Sequence, residues 1–263
     1  MAHEAAAPDM AHSDSVSIQR TGPLLRLTLN RPAKANALTA EMLQALAQAV
    51  QGTARGDLIV LDSAAPRLFC AGADIAQFVS GAQALRQQEH GLLALIEAMA
   101  QSQAPIVAVA RGRAAGGGAI LLALADVVLA ADDLQISAPE FVFGMYPVIV
   151  ETVLQSRLWP ALASRLCLGA GSLGAKEALA LGLVAEVLPA ADFAATAAAR
   201  VNHYTGRQAG LQALRDSRRA SAATVALRQQ LATVAPMMIA NFQAPGVRER
   251  INSYLEGLRQ RAD

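Results

Sequence analysis

Three consecutive glycines, Gly116–Gly118, have the clearest potential for chemistry in this chain. They follow a short β-branched run, Ile106–Ala110, and open an Ala/Leu-rich segment that predicts a helix. Glycines are costly at a helix start unless the backbone must approach something closely. The first N–H groups of a helix lack intrahelical partners and carry partial positive charge. The triplet therefore suits an oxyanion hole. Tight helix-on-strand packing is the alternative, and this stretch alone leaves both explanations open.

Residue spacing excludes several other kinds of active site. No lysine follows the triplet as a phosphate-binding P-loop requires, and the third glycine of a dinucleotide fingerprint would fall at Leu121. The chain has no G-x-S-x-G elbow of a serine hydrolase. The histidines lack metal-ligand spacing, so we expect no metal site. The two cysteines, Cys70 and Cys167, form no disulfide framework, which favours a reducing cytoplasmic location.

Composition limits the possible partners. With 54% hydrophobic and 16% charged residues, the 263-residue chain can bury a large core. A formal net charge of +1 and an aromatic content of 4% argue against binding to nucleic acid or to an anionic membrane surface. No apolar run reaches the ~18 residues of a membrane span. The first residues resemble no secretory signal, and we expect residues 1–14 to be a disordered tail.

The elements that must position the glycines alternate between strands and helices. This alternation predicts an α/β core over residues 15–195, followed by a helical region over residues 196–263. Thr39 is expected to cap a helix over Ala40–Val50, and Asp74 to cap a short helix. The stretch between Pro66 and Asp74 is expected to be a loop. The predicted strands include Leu24–Leu29, Leu58–Leu61, Ile106–Ala110, Val127–Leu129, Leu134–Ile136 and Val184–Val187.

Five blocks of sequence, in order and with regular spacing, resemble the crotonase superfamily, the enoyl-CoA hydratase/isomerase family. The resemblance extends from about Val16 to Pro189 and is weaker over the C-terminal helices. The blocks are Leu29-Asn30-Arg31-Pro32 with Asn36-Ala37-Leu38, Phe69–Ile75, Pro105–Asp126, Ala138-Pro139-Glu140 with Gly144 and Pro147, and Gly174–Ala178 with Gly182-Leu183-Val184 and Val187.

The resemblance implies a fold, a substrate class and an oxyanion hole. The fold would be a spiral of repeated β-β-α units, with C-terminal helices that assemble a homotrimer or a dimer of trimers. The substrate would be an acyl-CoA thioester, with no cofactor beyond the CoA that belongs to the substrate. Two backbone N–H groups would hold the thioester oxygen as an enolate develops. Carried over to this chain, these donors are Ala73 and Gly117, which agrees with the chemistry inferred from the glycine triplet.

The resemblance also places CoA along one segment. Ala71, Ala73, Asp74 and Ile75 match the segment that lies along CoA in relatives. Lys34 follows the first block, one place later than the usual basic residue, and is a candidate for the CoA phosphates. A solvated loop lysine is the alternative for Lys34, and a helix N-cap is the alternative for the Asp74 side chain.

The expected pair of catalytic carboxylates is incomplete. Hydratases of this family use two glutamates, and here Ile120 occupies the first position while Glu140 occupies the second. One carboxylate suffices to move a proton between two carbons, and the Δ3,Δ2-enoyl-CoA isomerase branch likewise keeps only the later glutamate. The apolar neighbours of Glu140 would raise its pKa and strengthen it as a base. A carboxylate satisfied by backbone N–H groups at a helix start is the alternative.

Glu151 is a second candidate acid or base. Relatives with other chemistries place a carboxylate near this point, although an acidic residue in a first helical turn is also favourable to the helix dipole. The leading hypothesis is therefore isomerisation of an enoyl-CoA through Glu140. The alternatives are hydration by Glu140 with Glu151, decarboxylation or another enolate reaction, and a non-catalytic acyl-CoA-binding subunit.

Overall fold

The computed structural model describes residues 15–169 and 171–260. The tail expected over residues 1–14 lies outside the described residues. Ten strands and eleven α-helices occur in the described part of the chain. The strands are β1 Val16–Thr21, β2 Leu24–Leu29, β3 Leu58–Ser63, β4 Leu68–Cys70, β5 Ile106–Ala110, β6 Arg113–Ala115, β7 Val127–Ala131, β8 Gln135–Ser137, β9 Leu173–Gly174 and β10 Glu186–Leu188.

The helices connect the strands and then continue alone to the C-terminal end of the described chain. The helices of the first two-thirds are α1 Ala40–Gln51, α2 Ile75–Val79, α3 Ala82–Gln101, α4 Gly117–Leu124, α5 Val148–Leu154, α6 Pro160–Cys167 and α7 Ala175–Ala180. Those of the last third are α8 Phe193–Thr205, α9 Gln208–Arg219, α10 Ala222–Phe242 and α11 Val247–Gln260. The expected boundary between residues 195 and 196 falls inside α8.

Two sheets organise the core. The larger has the strand order β1-β2-β3-β5-β7-β10, and all its pairs after the antiparallel β1–β2 hairpin are parallel. The smaller has the order β4-β6-β8-β9. Because β3, β5 and β7 lie in one sheet while β4, β6 and β8 lie in the other, each repeat sends one strand to each sheet. This is the expected β-β-α repeat.

The smaller sheet was largely absent from the sequence-based expectations. The stretch expected as a loop between Pro66 and Asp74 contains β4, and the expected polar loop Arg111–Arg113 runs into β6. The strand expected at Val184–Val187 is displaced to β10. Strands of two or three residues are too short to show an alternating pattern, so hydrophobic periodicity could not reveal them.

Helices cover both faces of the larger sheet. Along β3, Leu58 and Val60 pack toward the cluster that includes Phe193 of α8, while Ile59 and Leu61 face the main core. Successive side chains of a strand point to opposite faces, and a strand buried on both faces therefore reads as an unbroken apolar run. In the described part of the chain, no helix is long and apolar enough to cross a membrane.

A buried ion pair ties the last helices to the core. The Asp126 side chain is fully buried, accepts a hydrogen bond from the Ile106 N–H at 2.8 Å, and pairs with Arg215 of α9 at 3.3 Å. The same guanidinium donates to backbone carbonyls at the end of α3, including Ser102 O at 2.8 Å. Asp126 therefore joins β5 to α9, which explains a charged residue in an otherwise apolar stretch.

Candidate active site

The three glycines at the start of α4 each lie close to a different group. Gly116 has φ +49°, and a Cβ there would collide with Oε1 of Glu140. A Cβ on Gly117 would lie 3.6 Å from the Ala73 nitrogen. A Cβ on Gly118 would lie 2.7 Å from the Cys70 carbonyl oxygen. The Gly118 contact fits helix-on-strand packing, while Gly116 and Gly117 leave room for Glu140 and Leu38, and the oxyanion-hole interpretation stays a prediction.

The amides of Ala73 and Gly117 lie side by side. A Cβ on the preceding Gly72, which has φ +101°, would lie 3.5 Å from the Gly117 nitrogen. Leu38 donates to Gly72 O at 2.8 Å and accepts from Asp74 N at 2.9 Å, so its backbone pairs on both sides of Ala73. Within residues 15–169 and 171–260, neither the Ala73 nor the Gly117 N–H donates a hydrogen bond. The two donors are free for a ligand oxygen.

Glu140 lines the same cavity as these amides; the residue is half-buried, and its Oε2 atom is fully buried. It belongs to a short 3-10 turn, Pro139–Phe143, that follows β8. Its Oε1 lies over Gly116, and its Oε2 is buried with no hydrogen-bond partner among the described residues. Burial raises the pKa of Glu140 to about 7, although a backbone hydrogen bond opposes part of this rise. A carboxylate with such a pKa can both accept and return a proton near neutral pH.

A cavity of about 110 Å³ connects the two amides with Glu140. Most of its wall is apolar and includes Ile120, which is 1% exposed. Among the described residues that line it, Glu140 is the single carboxylate, and none is Lys, Arg or His. The apolar lining residues include Leu38, Leu43, Ile75, Phe78, Leu92, Val148, Ile149, Val150, Met238 and Phe242.

Glu151 lies outside this lining. It is in the first turn of α5, and its Oε1 accepts a hydrogen bond from the Ser164 hydroxyl at 2.6 Å. Burial, followed by a hydrogen bond to Glu151, raises the pKa of Tyr146 to about 12. Burial, and then the charges of Glu140 and Glu151, raise the pKa of the Cys167 thiol to about 12. The Glu151 carboxylate is therefore held by Ser164 and Tyr146.

The four expected CoA-binding residues divide into two groups. Ala71 and Ile75 line the cavity. Asp74 caps α2 by accepting from Ala76 N at 3.1 Å, and it pairs with Arg31 at 2.7 Å. Lys34 is exposed at the end of a 3-10 turn and does not line the cavity.

Two polar residues of the cavity were missed by sequence reasoning. Gln88 of α3 is 1% exposed, and its Nε2 donates to Leu38 O at 2.7 Å. Asn241 of α10 donates to Tyr146 O at 3.2 Å. For Gln88 the sequence does contain a signal, since it occupies the face of α3 that otherwise carries buried apolar residues such as Leu95. A polar residue on an apolar helical face needs a partner.

The last helix fixes the turn that carries Glu140. Arg250 of α11 donates from Nε to Phe143 O at 2.7 Å. Its guanidinium fills the space beside Gly144, which has φ +73° and ends the turn. Phe143 and Met145 also pack with Val247 and Ile251 in a separate apolar cluster. In the part of the chain that the structure describes, no three His, Cys, Asp or Glu side chains form a group that could hold a metal ion.

Comparisons with known proteins identify the family of the chain. The enoyl-CoA hydratase/isomerase family model matches residues 19–261. The chain is 32% identical over 228 residues to a 2,3-dehydroadipyl-CoA hydratase of Escherichia coli, covering 82% of this chain and 88% of the relative. It is 28% identical over 198 residues to an enoyl-CoA delta isomerase 2 of Rattus norvegicus, covering 73% of this chain and 51% of the relative.

Solved structures show the same fold. An enoyl-CoA hydratase from Bacillus halodurans superposes with a TM-score of 0.78 at 22% identity, covering 91% of this chain and 99% of the other. An enoyl-CoA hydratase/isomerase from Mycobacterium paratuberculosis superposes with a TM-score of 0.75 at 22% identity, covering 93% of this chain and 99% of the other. The expected crotonase fold and family are confirmed. The chain belongs to the crotonase superfamily, as an acyl-CoA enzyme of the enoyl-CoA hydratase/isomerase family.

Proposed function

We propose that this enzyme isomerises the double bond of an enoyl-CoA, with Glu140 as the single acid–base group. The observation that carries the proposal is that Glu140 is the one carboxylate among the described cavity-lining residues, which also include the apolar Ile120. Hydration across a double bond requires a water molecule to be held and activated, a task that relatives divide between two glutamates. Shifting a double bond requires only that one proton leave one carbon and return to another.

The proposed reaction uses the two free amides and Glu140 in sequence. The thioester oxygen of a 3-enoyl-CoA accepts hydrogen bonds from the Ala73 and Gly117 N–H groups. The ionised Glu140 takes a proton from C2, and the resulting negative charge spreads through a dienolate onto the oxygen held by those donors. The protonated Glu140 then delivers the proton to C4, so that the double bond lies between C2 and C3. The apolar wall that raises the pKa of Glu140 to about 7 supports both transfers.

The proposal also covers the binding of CoA and the assembly of the enzyme. We assign the CoA phosphates to Lys34, and we place CoA along Ala71 and Ile75. The Asp74 side chain acts by capping α2 and binding Arg31, so only its backbone would touch CoA. Assembly into a homotrimer or a dimer of trimers through the C-terminal helices, and a cytoplasmic location, stay predictions.

The experiment that tests the proposal offers purified enzyme both hex-3-enoyl-CoA and hex-2-enoyl-CoA. Isomerisation predicts conversion of the 3-enoyl to the 2-enoyl thioester without formation of a 3-hydroxyacyl product. Glu140→Gln should lower this turnover by about 10²–10⁴-fold. Glu151→Gln, which removes a carboxylate outside the cavity lining, should leave most of the turnover. Formation of 3-hydroxyacyl-CoA from the 2-enoyl thioester at a comparable rate would contradict the proposal.

Hydration is the second candidate, and two observations favour it. The relative at 32% identity is named a hydratase. Glu140 and Glu151 are both close enough to Cys167 for their charges to raise the pKa of its thiol. A water between the two carboxylates would then have to bind Glu151 alongside its hydrogen bond from Ser164. In this case Glu151→Gln would abolish hydration as completely as Glu140→Gln, whereas isomerisation through Glu140 alone would survive that change.

A further inference from the structure

Gln88 is the most deeply buried polar side chain of the cavity wall. It is 1% exposed and lies on the face of α3 that also carries Leu85 and Leu95. α3 approaches α1 closely at Gly91, where a Cβ would lie 3.1 Å from the Cβ of Leu43. This close approach brings Gln88, one turn earlier on α3, against the backbone just before α1.

The orientation of the Gln88 carboxamide follows from its contact. Its Nε2 lies 2.7 Å from the carbonyl oxygen of Leu38, and a carbonyl can only accept, so the nitrogen must face it. The Oε1 atom then faces away, and it is buried with no partner among the described residues. A buried unpaired amide oxygen costs free energy of folding. An apolar residue would fill the same space on α3 without that cost, so stability alone does not account for a glutamine here.

Leu38 is the residue that contacts both proposed oxyanion donors. Its N–H donates to Gly72 O at 2.8 Å and its carbonyl accepts from Asp74 N at 2.9 Å, which fixes the peptide that carries the Ala73 N–H. Its side chain packs over the other donor, since a Cβ on Gly117 would lie 3.0 Å from Leu38 Cδ1. The Leu38 carbonyl oxygen accepts one hydrogen bond from Gln88 Nε2 and one from Asp74 N, so both of its lone pairs are occupied. The backbone at Leu38 cannot rotate without breaking one of these bonds.

We propose that Gln88 is a positioning residue of the oxyanion hole, which holds Leu38 so that the Ala73 and Gly117 amides converge on the thioester oxygen. This inference rests on the proposed function of those two amides. Gln88 itself does not contact the reacting atoms in this role. The donors must be aimed at the charge that develops during the reaction, and a shift of about 1 Å in such a group is enough to lower a rate about 100-fold.

The test replaces the amide by an uncharged group of similar shape. Gln88→Met should lower kcat for hex-3-enoyl-CoA isomerisation by about 10- to 100-fold while KM changes less than about threefold. Leu95→Met is the matched control, because it places the same side chain at a buried position of the same helix outside the cavity lining, and it should keep the wild-type kcat. Gln88→Glu is the rescue variant, because a protonated carboxyl can still donate to Leu38 O. Its kcat should exceed that of Gln88→Met at low pH and lose this advantage as pH rises.

A second measurement separates the oxyanion hole from general binding. Acetoacetyl-CoA forms an enolate that absorbs in the near ultraviolet, and hexanoyl-CoA does not enolise readily. Gln88→Met should weaken the enolate signal of bound acetoacetyl-CoA about as much as it lowers kcat, with the affinity for hexanoyl-CoA nearly unchanged. Equal losses for both ligands without rescue by Gln88→Glu, or no loss at all, would overturn the proposal. If wild-type enzyme binds neither thioester, the proposed function itself fails, and this inference fails with it.

Discussion

Replacing Glu140 by glutamine should make the protein more stable and less active, and the gain in stability should depend on pH. Folding raises the pKa of this carboxyl from an ordinary value of 4.5 to about 7, chiefly through burial. At ~1.4 kcal/mol per pKa unit, the ionised form is disfavoured in the folded state by about 3 kcal/mol. The folded state is under no such penalty below about pH 4.5, where the group is protonated in both states. The penalty grows as pH rises and is complete above about pH 7.

Glutamine keeps the shape of the protonated acid and does not ionise. The difference in unfolding free energy between Glu140→Gln and wild type should therefore be close to zero at pH 4 and reach about 3 kcal/mol at pH 8.5. For a protein of this size, that corresponds to about 6–12 °C in Tm. Urea denaturation at a series of pH values measures the difference directly, and the turnover of the same samples should fall by about 10²–10⁴-fold.

Glu151→Gln controls for removal of a negative charge near the site. Its carboxylate accepts a hydrogen bond from Ser164 at 2.6 Å, which the amide would weaken. We therefore expect this variant to gain no stability at high pH. A stability difference between Glu140→Gln and wild type that stays constant from pH 4 to pH 8.5 would refute the reasoning, because it would mean that the Glu140 carboxylate is hydrated or paired in the folded protein.

Four further outcomes are expected. The wild-type kcat/KM should rise with pH through about 7, since Glu140 must be ionised to take the first proton, and a flat kcat/KM profile would contradict its proposed role as the base. Gly117→Ala should lower kcat/KM by about 100-fold, because its Cβ would lie 3.0 Å from Leu38 Cδ1 and displace the residue that packs over the donors, and steady-state kinetics would measure the loss. Ile120→Glu should shift the rate profile to higher pH, since a second carboxylate opposes ionisation of the first, and stopped assays across pH would detect this. Asp126→Ala should cost about 3–5 kcal/mol in urea denaturation, because it leaves a buried guanidinium unpaired, whereas a loss below 1 kcal/mol would argue against the ion pair.

Sequence patterns predicted the parts of the fold that depend on local physics. The strands at Leu24–Leu29 and Ile106–Ala110 have the predicted bounds, and Thr39 caps α1 by accepting from Met42 N at 3.3 Å. These elements carry β-branched residues or a short polar cap, which act within a few positions along the chain. The short strands of the smaller sheet gave no such signal, because their pairing is decided by partners distant in sequence.

The candidate site was predictable only in part for the same reason. The glycine triplet and Glu140 stand out locally, and the structure brings them together. The side-chain network behind them does not stand out, since Gln88 meets Leu38 across 50 residues. Similarly, nothing in the sequence around Glu151 indicates that Ser164 would bind its carboxylate. Such contacts arise from packing between whole elements, and a single sequence contains no record of which helices will meet.

The contact between α11 and the turn that carries Glu140 has a consequence for how the enzyme is made. Phe143 receives its hydrogen bond from Arg250, which is synthesised 107 residues later. During synthesis, the core around the glycine triplet can fold before α11 exists. The turn that carries Glu140 then still lacks the hydrogen bond that Arg250 donates to Phe143 O. The turn that carries the proposed base should therefore reach its final position only after α11 has been made, and growth of the core alone should not be enough.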